Sequence, residues 1–75
     1  MNPHKVYEEY IAQKRTEIAH KATEMYDKGH TLRYITNTLH GSYKQVTGLS
    51  KVDVACIVAK AIVNFVNEEN RRVIT

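Results

Sequence analysis

A single cysteine, Cys56, excludes an internal disulfide and with it the stapled scaffolds of small secreted domains. One proline, three glycines and no tryptophan leave few helix breakers, which suits an all-helical chain. The opening stretch, MNPHKVYEEY, has no apolar signal core. The longest uncharged apolar run, Val54 to Ala59, is far too short to span a bilayer. The expectation is a soluble, cytoplasmic protein with no membrane contact. Acid is missing from the middle of the chain. Lys28 to Val52 holds four basic residues (Lys28, Arg33, Lys44, Lys51) and no Asp or Glu. The net charge of +3 therefore sits there, because the remaining residues carry seven basic and eight acidic groups. Such a segment is a footprint for a polyanion, or else a solvated face that lacks acids by chance.

What the chain does have is one dominant apolar stretch, Val52 to Val66 (VDVACIVAKAIVNFV). Its only polar residues, Asp53, Lys60 and Asn64, lie seven and four apart, a helical period with one thin wet line. The alternation Val52, Val54, Cys56, Val58 favours a strand instead. Length, the polar stripe and the Ser50–Asp53 cap pattern favour a helix. Apolar over most of its circumference, this helix needs wrapping on several sides. A chain of 75 residues forms one domain, 1–75, and buries only about 60% of its unfolded surface, so a partner chain is expected. Ala55, Ala59, Ile62 and Val66 repeat at four, three and four, a seam for a homodimer.

Elsewhere the local signals are consistent with an all-α domain of three to four helices. Asn2 and Pro3 start a long first helix, on which Tyr7, Ile11, Ile18, Ala22 and Met25 share a face and Glu17 pairs with Lys21. Gly29 ends it. Thr31 caps a short second helix with Leu32, Ile35 and Leu39 inward, and Gly41 closes that helix. Ser42 caps a weak third helix with Val46 and Leu49 inward. Gly48 makes an ordered loop over residues 42–48 nearly as good a reading. The last helix runs from Lys51 to about Glu69, and Asn70 to Thr75 trails off.

Gly29, Thr31, Leu32, Arg33, Ile35, Leu39, Ser42, Val46 and Leu49 fall in register with a known pattern. The segment Met25 to Leu49 resembles the helix-turn-helix of resolvases, transposases and related small DNA-binding domains. The resemblance implies that Ser42 opens a recognition helix and that Tyr43, Lys44, Gln45 and Thr47 face a major groove. Arg33 and Lys51 would then flank it and meet phosphates. A plain helical hairpin accounts for the same apolar spacing.

No catalytic constellation is present: no nucleophile beside a histidine and acid, no glycine-rich phosphate cradle, no paired carboxylates. His4, His20, His30 and His40 lack metal-ligand spacing, so neither metal nor cofactor is expected. Cys56 reads as a small core residue. The expected function is therefore non-enzymatic. It is that of a dimeric regulator or accessory factor that binds double-stranded DNA through the helix-turn-helix. The alternative is a compact helical inhibitor or adaptor that binds a partner protein, of the kind found in phages.

Overall fold

Where a glycine or a capping hydroxyl interrupts the chain, the computed structural model turns. It describes the backbone of residues 3–74 and the side chains of residues 3–71. The expected cap Asn2 lies outside the described residues. Three helices follow one another: α1 (Pro3–Asp27), α2 (Leu32–Thr47) and α3 (Lys51–Ile74). Gly29, at φ 98°, closes α1. There His30 N–H donates to the Met25 carbonyl at 3.1 Å and Gly29 N–H to the Tyr26 carbonyl at 3.0 Å, so two orphan carbonyls are satisfied. Thr31 caps α2 by accepting from Tyr34 N–H at 3.2 Å. Ser50 and Asp53 form a reciprocal capping box at the start of α3. Asp53 N–H donates to the Ser50 hydroxyl and Ser50 N–H to the Asp53 carboxylate, each at 3.2 Å.

The core is thin and continuous. Ile18 and Ala22 of α1 meet Ile35, Leu39 and Tyr43 of α2, Leu49 of the turn, and Val54, Val58 and Ile62 of α3. Met25, Ile57 and Val66 pack partly against it. Each fully buried Ile or Val is worth about 1.5–3 kcal/mol relative to exposure. The turns and two contacts set the directions. The Tyr43 hydroxyl, late in α2, donates to Glu17 in α1 at 3.1 Å, so those two helices run antiparallel. Tyr26, at the end of α1, meets Phe65 of α3 edge-on, with ring centroids 6.3 Å apart. Helices α1 and α3 are much longer than α2, and the molecule measures 47 × 26 × 16 Å.

Several expectations need correction. There is no turn at Gly41 and no cap at Ser42: α2 is one helix of 16 residues running through both. Gly41 keeps an ordinary helical backbone, and its cost of about 1 kcal/mol in a helix interior is offset by the burial of Tyr43 and Thr47 beyond it. The glycine that turns is Gly48, at φ 71°, whose N–H caps the Lys44 carbonyl. Val46, expected inside, is exposed, and Leu32 is half exposed. Glu17 pairs with Lys14 at 3.4 Å, while Lys21 lies over the Tyr43 ring.

The last helix is amphipathic and is not apolar all round. It buries Val54, Val58 and Ile62 and leaves Val52, Cys56, Ala59 and Val63 outside, so Cys56 is an exposed thiol. It also continues to Ile74, past the expected end near Glu69. Among the described residues no helix is long and apolar enough to cross a membrane.

Candidate functional site

The small side chains of Ala55 and Ala59, one turn apart on α3, leave a hollow where a larger residue would meet α2. The result is a groove of about 340 Å³ lined by Leu32, Arg33, Thr36 and Asn37 of α2 and by Lys51, Ala55, Val58 and Ala59 of α3. Its floor is apolar, and Leu32 stands half exposed at 49% on one wall. Among the described residues that line it, Arg33 and Lys51 are the charged ones, one from each helix, and both are positive. The nearest acid in sequence, Asp53, is held by the Ser50 backbone N–H.

The groove does not end at its own rim. Helical periodicity puts Val52, Cys56, Ala59 and Val63 on one stripe of α3 beside Ala55, and all four are exposed. Val52 is 71% and Val63 57% exposed. Arg33, Asn37 and Lys44 share an outward stripe of α2. The two helices thus present an apolar strip with Arg33, Lys44 and Lys51 towards α2 and the polar line of Asp53, Lys60 and Asn64 along its other side. Contiguous exposed apolar surface of this kind marks interaction sites.

The residues singled out from the sequence divide into two groups. Arg33, Ser42, Lys44, Gln45 and Lys51 are exposed, and Arg33 and Lys51 meet at the groove. Tyr43 and Thr47 are buried and so are withdrawn from any partner. Thr47 serves the end of α2: its hydroxyl donates to the Tyr43 carbonyl at 2.7 Å and accepts from Leu49 N–H at 3.2 Å. Ser42 lies in mid-helix. Gln45 points about 100° away from Lys44, on a different flank of α2.

The four seam residues do not form one exposed face either. Ala55 and Ala59 line the groove, whereas Ile62 is buried in the chain's own core and Val66 packs against it. Sequence reasoning missed the groove itself. The available signal was the Ala55–Ala59 pair of small residues, read instead as part of a self-matching seam.

Among the described residues no group of three or more His, Cys, Asp or Glu is placed to hold a metal ion. His30 stacks on Tyr34 with centroids 4.8 Å apart, and His4 and His20 each approach a glutamate one turn on, Glu8 and Glu24. No buried side-chain nitrogen or oxygen lacks a hydrogen-bond partner among the described residues. Comparison with protein-family models, curated proteins and solved structures finds no match to this chain.

Proposed function

We propose that this chain is a small non-enzymatic adaptor or inhibitor that binds a partner protein through the α2–α3 groove. One observation carries the reading: an apolar groove whose charged lining residues, Arg33 and Lys51, are positive and stand on opposite walls. The occupant that suits it is an amphipathic helix with apolar residues one turn apart and acids along its flanks. Its apolar ridge would sit over Ala55 and Ala59, and its carboxylates would meet the two cations. The rim charges would set orientation and association rate more than affinity, since exposed ion pairs contribute only about 0–1 kcal/mol each.

The DNA reading keeps one specific support. Arg33 and Lys44 lie on the same stripe of α2, about 16 Å apart along the axis, with Lys51 nearby and no acid between Lys28 and Val52. It loses two of its expected base-reading residues, Tyr43 and Thr47, to the core. Capture from a lysate of the source cells, with and without nuclease, separates the readings. The protein reading expects a partner that survives nuclease and is lost with Ala59→Arg, which fills the groove. Retention that disappears with nuclease supports DNA.

A further inference from the structure

The stripe Tyr7, Ile11, Ile18, Ala22, Met25 is one face of α1, but α2 and α3 cover only its second half. Ile18 and Ala22 are fully buried, while Tyr7 is 57% exposed and Ile11 half-buried. Tyr43 reaches Glu17 one turn before α2 ends at Thr47, and residues 3 to 10 of α1 are all exposed, so the first two turns of α1 extend beyond the packed part of the domain. The radius of gyration, 13.9 Å, exceeds the roughly 11 Å of a compact 75-residue globule, as projecting helix ends require. A helical overhang of that length is marginal in water without packing on its apolar side. Tyr7, Glu8, Ile11, Ala12 and Arg15 line a shallow depression of about 340 Å³ on it.

We propose that this overhang pairs antiparallel with the same segment of a second copy of the chain, about a two-fold axis at Ile11 and Ala12. The charge order chooses the occupant. Glu8 precedes the centre and Arg15 follows it at equal distance, and both lie on the face of Ile11 and Ala12. A two-fold axis there sets Glu8 of each copy against Arg15 of the other, whereas a parallel mate would set like charges together. Ala12 at the centre lets the two backbones come close, and Ile11 of each copy fills the space beside it. Among the described residues Arg15 forms no ion pair within its own chain, and Glu8 approaches only the neutral-or-cationic ring of His4 at 3.1 Å. Tyr7 supplies the aromatic edge of the contact. The contact is short, so the dimer is concentration-dependent.

This surface is separate from the α2–α3 groove, and the dimer stands or falls independently of what the groove binds. The test is sedimentation equilibrium on the full chain, with circular dichroism to verify folding of each variant. Wild type should approach twice the chain mass of 8.6 kDa as concentration rises. Ile11→Asp should raise the dimer dissociation constant by about 100-fold while the helical signal is kept, because the residue is not in the core. Glu8→Arg and Arg15→Glu should each raise it about tenfold at low salt, and the double variant should return to within about threefold of wild type. That restoration needs the two residues to face each other across the axis. A chain still monomeric at about 1 mM, where a contact of only about 4 kcal/mol would already associate, would overturn the proposal. So would a dimer indifferent to Ile11→Asp, a double variant no better than the singles, or a dimer abolished by Val63→Asp on α3 instead.

Discussion

Gly41 and Gly48 offer a paired test of the continuous α2 helix. Gly41 lies inside α2 with an ordinary helical backbone, and a Cβ added there would meet nothing within 4 Å. Gly41→Ala should therefore stabilise by about 0.8–1 kcal/mol, the difference in helix propensity, with no steric debit. Gly48 has the same empty surroundings but sits at φ 71°, where a Cβ strains the backbone itself. Gly48→Ala should destabilise by about 1–2 kcal/mol. For a domain of this size each kcal/mol moves the melting temperature by about 4–8 °C. Thermal melts followed at 222 nm should thus move in opposite directions, up for Gly41→Ala and down for Gly48→Ala. A helix-turn-helix with its turn at Gly41 reverses the first sign. Destabilisation by Gly41→Ala would refute the continuous helix, and equal shifts would refute the assignment of the turn to Gly48.

Ile62→Asp places a charge in a site only 7% exposed and should cost more than about 3 kcal/mol, whereas Asn64→Asp, exposed two residues on, should stay within about 0.5 kcal/mol. Chemical denaturation of both variants checks this. Thr47→Val keeps the shape but removes the hydroxyl that serves the Tyr43 carbonyl and Leu49 N–H, leaving a buried donor unpaired. It should cost about 1–3 kcal/mol by the same measurement, and a neutral result would mean that water reaches the turn.

Local signals were legible wherever a few neighbouring residues decide the geometry. Gly29, the Thr31 cap and the Ser50–Asp53 box are of this kind, because the chemistry of each closes within six residues. Gly41 was misread because a glycine turns only if the chain beyond it gains nothing by continuing. Here Ile35, Leu39, Tyr43 and Thr47 recur every four residues, and their shared burial carries the helix through. Tyr43 lies in the acid-free segment and was expected to face a groove, yet Glu17, 26 residues away, takes its hydroxyl. In α3 the difficulty was excess: with apolar residues nearly all round, periodicity alone did not say which face is buried. Packing chose Val54, Val58 and Ile62, which exposed Cys56 and broke up the seam drawn through Ile62. The groove depends on Leu32 and Ala59 approaching across two helices, a relation that lies beyond any single window of the sequence.

The central claim, that the α2–α3 groove takes an acidic amphipathic helix, is tested most directly by amide chemical-shift mapping. Labelled protein is titrated with such a peptide and, separately, with a random-sequence duplex at low salt. The account predicts saturable shifts from the peptide, clustered at Leu32, Thr36, Ala55 and Ala59 and absent in Ala59→Arg. Shifts from the duplex alone, spread over Arg33, Lys44 and Lys51 and fading as salt rises, would contradict it.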